Sequence, residues 1–240
     1  MPKRRYVDLH VRVTNEGDAP RLLIKMAKHL GFSLIALSFD DLRKLGDLKD
    51  VKDYARDLGI DVAIRVDLRP SSLNELKGYL RKLRRSVEII GVYCRDISVA
   101  RTAARDRRVD VTFYDPENVL SILDEGQLSL LAESGHYVEV NLVDFLHTTP
   151  DKQAKALWSY GLVLKRVTRR GIPTLISSGA SKIIDMRAPR ELYALAFLLL
   201  DEKALAREAV STKPMGLVRL NREKLSPTFI QPGVKVVNEW

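Results

Sequence analysis

The 240 residues include one cysteine, four histidines and only 7% aromatics. Each shortage removes a class of explanation. A lone Cys94 cannot form an intrachain disulfide or build a thiolate metal cage. Its place in the apolar run 89–94 marks it as a buried, inert thiol. The scarcity of aromatics, with no aromatic nucleic-acid motif, argues against base stacking as a main binding mode. No apolar run reaches the roughly 18 residues of a membrane span. The opening MPKRRYVDLHV has basic residues but no apolar signal segment behind them, so the expected compartment is the cytoplasm. Also missing are a Walker loop, an HExxH pair, a nucleophile elbow and a glycine-rich phosphate loop after the first strand.

What the chain does have is positive charge: 40 Lys and Arg against 31 Asp and Glu, a formal +9. A basic balance favours anionic partners, nucleic acid above all. Three runs concentrate it: Arg81, Lys82, Arg84, Arg85; Arg101, Arg105, Arg107, Arg108; and Lys165, Arg166, Arg169, Arg170. Each falls at the end of a helical pattern just before a strand. Cations there complement the helix macrodipole. Repeated on one face they would also add into a field for a phosphate backbone. Both readings stand.

Strand-like and helix-like patterns alternate throughout. Strands are expected at 6–12, 33–39, 60–68, 87–93, 109–114, 136–143 and 174–177. Helical spacing falls between them, as at 19–30, 48–58, a helix capped by Ser72 through 83, 98–107, two short helices at 116–123 and 128–133, and 149–170, with the last helices at 189–200 and 202–210. Seven βα units imply a parallel sheet with crossover helices. The best architecture is a TIM-barrel-like (β/α) barrel of about seven parallel strands with surrounding helices, irregular because no eighth strand is evident. Residues 1–240 read as a single barrel domain, with 225–240 as an extended C-terminal arm.

In such a barrel the loops after the strands carry function. Candidates there are Asp8, His10 and Arg12; Asp40 and Asp41; Asp67 and Arg69; Arg95 and Asp96; Asp115 and Asn118; Asn141, Asp144 and His147. The densest stretch is Thr174–Leu192, TLISSGASKIIDMRAPREL. A buried strand ends in small residues, then Lys182, Asp185, Arg187 and Arg190 follow before a helix opened by Pro189. Small residues permit close backbone approach to another molecule. The alternative is a loop held by ion pairs of Asp185 with its own arginines.

Asp8-Leu9-His10 invites a metal-hydrolase reading, since alternate strand residues point the same way. Such a barrel resembles the PHP phosphoesterases, which open with His-x-His and gather metals with many histidines. Here Asp8 stands where the first His would be. His29 falls in a helix and His136 at the wrong end of a strand. Only Asp8, His10, Asp144 and His147 remain for a site. A PHP-type metal-dependent phosphoesterase is the alternative to a binding protein.

Residues 6–220 resemble the Rpp30 family, archaeal ribonuclease P protein component 3. The most specific part is Ile176-Ser177-Ser178-Gly179-Ala180 followed by Asp185-Met186-Arg187-Ala188-Pro189-Arg190-Glu191-Leu192. The resemblance implies a PHP-like barrel without bound metal or cofactor of its own. It implies a protein subunit of ribonuclease P, which removes the 5′ leader of precursor tRNA, with chemistry belonging to the RNA and its Mg2+. Implied partners are the ribonuclease P RNA, a Pop5-type protein component 2, other protein subunits and, indirectly, precursor tRNA. No catalytic residue is expected. Expected phosphate contacts are Lys182, Arg187 and Arg190, then Arg69 and Arg95, with Arg84, Arg85, Arg107 and Arg108 as second choices.

Overall fold

A computed structural model describes residues 5–40, 48–231 and 234–235. The chain runs β1 (Val7–Val13), α1 (Pro20–Leu30), β2 (Leu34–Phe39), α2 (Leu48–Asp57), β3 (Asp61–Leu68), α3 (Leu73–Leu83), β4 (Ile89–Cys94) and α4 (Ile97–Arg105). It continues through β5 (Val111–Tyr114), α5 (Val119–Ile122), α6 (Glu125–Ser134), β6 (Tyr137–Asn141), α7 (Val143–Leu146), α8 (Pro150–Arg169) and β7 (Thr174–Ser177). After a 3-10 turn, Ile183–Asp185, come α9 (Pro189–Leu200), α10 (Lys203–Ala209), α11 (Thr212–Leu225) and the strands β8 (Phe229–Gln231) and β9 (Val234–Lys235).

Strands β1 to β7 pair in chain order, all parallel. They curl into a nearly closed barrel with the helices outside. No β1–β7 ladder forms among the described residues. Isolated bonds stitch that seam: Arg12 N–H donates to the Ala180 carbonyl at 2.7 Å, and Ser178 N–H to Asp8 Oδ1 at 3.0 Å. The tightness of the 177–180 turn serves this closure. Leu142 and Val143 N–H donate to the Ser177 and Ser178 carbonyls. Gly179 has φ +67°, and a Cβ there would lie 2.7 Å from Val143 Cγ2 and 2.9 Å from Asn141 Cβ. A side chain has neither the backbone conformation nor the room. The small residues therefore admit the chain's own β6 rather than another molecule.

The barrel interior follows the period of two. Leu34, Ala36, Ala63, Ile89, Val111 and Leu175 form its lower apolar layer, with Val7 and Leu9. Leu217 and Val218 of α11 close this layer from below. Helix α11 lies beyond the helices expected from the sequence. Pro214 and Gly216 read as breakers there, but Pro214 sits in the first turn, where its missing N–H is tolerated. The outer face of the sheet packs on the helices in a larger core. Buried carboxylates fasten the strand starts: Glu88 accepts from Ile64 N–H and Asp110 from Ile90 N–H, at 2.8 and 2.9 Å.

Other differences are local. The helix expected at 116–123 shrinks to α5, because Asp124 N-caps a separate α6 by accepting Gln127 N–H. Strict alternation on β1 fails: an extra residue between Asp8 and Val11 bulges the strand against β2. Leu9 joins the apolar layer, and the next residue, His10, joins the polar layer above it. Beyond Leu225, β8 and β9 pair as an antiparallel hairpin. Of the expected arm, residues 232–233 and 236–240 lie outside the described residues, as does Asp41. No helix among the described residues is long and apolar enough to cross a membrane.

Candidate nucleic-acid interface

The polar layer at the strand C-terminal end is built by alternation. The inward positions of β3 are Ala63, Arg65 and Asp67. Those of β6 are Tyr137, Glu139 and Asn141. Arg65 is fully buried. Its guanidinium forks onto Glu139, with Nη1–Oε1 2.8 Å and Nη2–Oε2 2.6 Å. It also reaches Asp67 Oδ1 through Nε at 2.8 Å and the Leu9 carbonyl through Nη1 at 3.0 Å. His10 lies between the same carboxylates: Nε2 is 2.8 Å from Asp67 Oδ2, and Nδ1 is 3.1 Å from Glu139 Oε2. Nδ1 is also 2.9 Å from Asn141 Oδ1. Ser177 Oγ donates to Glu139 and Ser38 Oγ to Asp67.

Burial alone would raise both carboxyls. The positive charges of Arg65 and His10 overcome it, holding Glu139 at about 2 and Asp67 well below the usual carboxylate range. Burial and Arg65 push the His10 pKa down, but the two carboxylates outweigh them and it ends raised. Arg65 and His10 thus answer the two carboxylates within one buried layer. Phe113 walls it, its ring centroid 5.4 Å from that of His10 and 5.6 Å from Arg65 Cζ. Gly91 on β4 makes room, since a Cβ there would lie 2.3 Å from Asp67 Oδ1 and 2.8 Å from Arg65 Nη2.

Asp67, Glu139 and His10 are residue types that ligate metals, but their polar atoms are turned to Arg65 and to one another. A metal ion does not fit this layer, and no group of three or more His, Cys, Asp or Glu among the described residues could hold one. The four residues considered for a metal site are not brought together. Asp8 Oδ1 accepts from the N–H of His10 and of Ser178. His147 turns outward to Asp185, Nε2–Oδ1 2.8 Å. Asp144 stays near the mouth, its carboxyl pushed up to about 7 by burial despite His10 and Arg12.

The rim is a different environment. Lys182 is exposed and lines a cleft of about 580 Å3 with Arg12, Glu16, His147 and Asp185. Arg69 lies over the Tyr93 ring, 4.6 Å from its centroid, with its residue exposed. Arg95 is exposed, 3.8 Å from Asp96. Arg190 is 88% exposed and touches Glu191 at 2.8 Å. Arg187 is engaged inward: Nη1 donates to the Ile184 and Met186 carbonyls at 2.6 and 3.0 Å, fastening the 3-10 turn. The expected Asp185–Arg pairs do not form; the partner of Asp185 is His147.

The three basic runs do not act as one bare field. Arg84 pairs with Asp110 and Arg108 with Asp106. Arg101 pairs with Asp124, while Arg166 and Arg170 share Glu125. Arg85 and Arg107 are exposed and have no ion pair among the described residues. A further cation-lined groove, of about 700 Å3, opens at the other end of the barrel between Arg5, Lys28, Arg219 and Arg222. Arg222 is tied there to Asp61 through both Nη atoms, at 2.7 and 2.9 Å. These cations are scattered in sequence, so no run announces them.

Sequence reasoning also misses Arg65 and Glu139, although their signals are present. A charged residue at alternate positions of otherwise apolar strands, and a glycine in mid-strand at 91, mark an inward polar layer and a close approach.

Comparison with known proteins bears on this arrangement. The family model described as RNase P subunit p30 matches residues 5–226. Ribonuclease P protein component 3 of Methanosarcina acetivorans is 26% identical over 238 residues, covering 99% of this chain and 98% of the relative. The protein of the same name from Methanococcoides burtonii is 28% identical over 237 residues, covering 98% and 95%. Among solved structures, a chain in the cryo-EM structure of archaeal ribonuclease P with mature tRNA superposes with TM-score 0.83 at 19% identity, covering 96% of this chain and 98% of that one. A histidinol phosphate phosphatase from Lactococcus lactis, complexed with zinc, L-histidinol and phosphate, gives TM-score 0.56 at 14% identity, covering 82% and 93%. At these identities the structures share the fold.

Proposed function

Because the chain belongs to the RNase P subunit p30 family, we propose that it serves ribonuclease P by binding the catalytic RNA at its rim while its own barrel mouth does no chemistry. The family match over 5–226 carries the assignment to ribonuclease P. The mutually bonded layer of Arg65, His10, Asp67 and Glu139 supports a mouth without a reacting group. A catalytic acid, base or nucleophile must reach substrate, and these groups are buried and saturated with one another. The phosphoesterase alternative would need a site that the guanidinium occupies.

Removal of the 5′ leader from precursor tRNA then belongs to the RNA and its Mg2+. The protein's part is electrostatic. A folded RNA repels itself, and Lys or Arg at phosphates relieves the repulsion while releasing counterions. Lys182, Arg190, Arg69 and Arg95 are exposed for this on the strand C-terminal face, Arg190 beside Glu191 and Arg95 beside Asp96, with Arg85 and Arg107 elsewhere on the surface. Arg187 contributes by holding the loop that presents Lys182. Arg84 and Arg108 would have to leave carboxylate partners first.

The reading extends to a small Pop5-type partner subunit. Support comes from the outer faces of the packed pair α8 and α9, where Trp158 is 62% and Leu198 65% exposed, with Leu162 and Phe197 also exposed. It treats residues 1–240 as one barrel unit with the hairpin after 225 as its arm, acting in the cytoplasm. Reconstitution tests the core of it. The chain, with its partner subunit, is added to ribonuclease P RNA and cleavage of precursor tRNA is followed against Mg2+ concentration. A lowered Mg2+ requirement is expected. An unchanged one would remove the proposal.

A further inference from the structure

The strand N-terminal end of the barrel carries a charge imbalance of its own. The groove of about 700 Å3 there adjoins a cleft of about 390 Å3, and the two share Gly59, Asp61 and Arg222 as lining. Arg5, Lys28, Lys52, Arg56, Arg219 and Arg222 line them against the carboxylates of Asp61 and Glu88. We propose that this groove is a second phosphate-backbone site, in which Arg5, Lys28 and Arg219 meet a segment of RNA at the end of the barrel opposite the rim. The identity of the polyanion rests on the ribonuclease P reading.

Three observations carry this. First, the carboxylates are already engaged. Both Nη atoms of Arg222 hold Asp61, and Glu88 accepts from Lys52 Nζ at 2.8 Å and from Arg222 Nε at 3.3 Å. Arg56 pairs with Asp53 at 2.7 Å. Arg5, Lys28 and Arg219 remain, all exposed and without an ion pair among the described residues. Lys28 Nζ donates to the Gly59 carbonyl at 2.8 Å, a neutral acceptor that leaves its charge uncancelled. Second, helix capping accounts for one of these three only. Lys28 is in the last turn of α1, where a cation answers the macrodipole. Arg5 precedes β1 and Arg219 lies in the middle of α11, so neither serves a helix end. Third, the groove is pre-formed. Arg222 bolts α11 to the start of β3, donating also to the Val62 carbonyl at 3.1 Å, and Asp61 N–H donates to the Ser33 carbonyl at 3.0 Å. The apolar floor of Phe32, Leu34 and Val218 is buried. That floor decides the class of ligand. A peptide gains its affinity from apolar anchors seated in open pockets, whereas a phosphate backbone needs only spaced cations.

The test is a salt series of binding isotherms on ribonuclease P RNA with Arg5→Ala/Arg219→Ala. Wild type, the rim pair Lys182→Ala/Arg190→Ala and each single groove variant are measured beside it, the singles carrying the test if the pair does not fold. Each cation lost should reduce the log–log salt slope by about 0.7–0.9, so the groove pair should reduce it by about 1.4–1.8. Arg5→Lys/Arg219→Lys should keep the wild-type slope, because charge sets it. Melting temperatures should stay close to wild type. Groove and rim variants combined should show summed reductions, as both ends hold one RNA. A wild-type slope in the groove variants overturns the inference, as does a combined variant no different from the rim pair. Rim variants that still lower the slope confine that failure to the groove; rim and groove variants both without effect extend it to the RNA-binding reading. A groove variant that binds RNA as wild type does but loses its partner subunit overturns the inference too, and gives the groove to a protein.

Discussion

Arg65 and Glu139 face each other across the barrel interior as two planar groups joined by parallel bonds of 2.8 and 2.6 Å, both side chains at 0% exposure. Such a pair stabilises little in net terms, because desolvation offsets the attraction. Breaking one half of it is costly, because an uncompensated charge stays behind. Glu139→Gln should therefore lose about 3–5 kcal/mol of unfolding free energy. Arg65→Met/Glu139→Leu should recover much of that loss, since no buried charge is orphaned between them. Urea denaturation of wild type, single and double variants checks both statements. A double variant as unstable as the single one would contradict the charge argument.

Gly91 makes a cleaner steric case. Its φ is not in the left-handed region, so alanine there costs nothing in backbone strain. The whole penalty comes from a Cβ placed 2.3 Å from Asp67 Oδ1. Gly91→Ala should destabilise by about 1–3 kcal/mol, the range for overpacking a filled core. Gly161 in α8 is the counterpart: nothing lies within 4 Å of its Cβ position. Gly161→Ala should stabilise by roughly 0.5–1 kcal/mol through helix propensity. Opposite shifts of the two melting temperatures are the expected outcome.

Two histidines act on the pH response with opposite signs. Burial lowers His136 to about 4, with Asp106 pulling the other way. Its folded value lies below the ordinary imidazole value of about 6.5. Protonation therefore favours the unfolded chain. The stability from neutral His136 is fully present above about pH 6.5 and drains as pH falls towards about 4, a loss on the order of 3 kcal/mol. His10 is raised, so its contribution has the opposite sign: present below the ordinary value, lost as pH rises through the raised one. Asp144, raised to about 7 by burial, acts in the same interval with the opposite sign in both proteins, so the difference between wild type and His136→Asn is the quantity to read. That difference should change between about pH 4 and 6.5 and stay level above it; a difference that is level throughout would refute the assignment to His136.

Much of this is legible in the sequence, and the rest is hidden for physical reasons. The seven strands and their order follow from period-two and period-3.6 patterns, which burial enforces along β2 or β7 as strongly as anywhere. Ser72 reads as a cap and is one, accepting Glu75 N–H at 3.2 Å. Helix α11 is hidden because Pro214 is a breaker in most positions and harmless in a first turn. The mouth is half visible. Asp67, His10 and Asn141 can be placed there from the strand pattern. Arg65 escapes notice because a long cation is ordinarily a surface residue, and only the carboxylates of neighbouring strands make its burial tolerable. The cationic rim is harder still. Arg187 and Arg190 look alike in sequence, and their separation into a loop brace and an exposed side chain depends on where two carbonyls point.

That separation gives the sharpest test of the rim. An exposed cation seated on a phosphate adds about 0.7–0.9 to the log–log salt slope through counterion release, and nothing to folding. Lys182→Ala, Arg69→Ala, Arg95→Ala and Arg190→Ala should each weaken RNA binding and reduce that slope by about this amount, with melting temperatures close to wild type. Arg187→Ala should do the reverse in proportion. It frees the Ile184 and Met186 carbonyls, so it should lower the melting temperature first and binding only through the loosened loop. Arg84→Ala and Arg108→Ala should act like Arg187→Ala, because Asp110 and Asp106 are left without those arginines. Binding isotherms on ribonuclease P RNA at several salt concentrations, read beside melting curves, separate the groups. If Lys182→Ala and Arg190→Ala leave the salt slope at its wild-type value, the phosphate contacts lie elsewhere, and the groove between Arg5 and Arg219 at the opposite end of the barrel becomes the next surface to mutate.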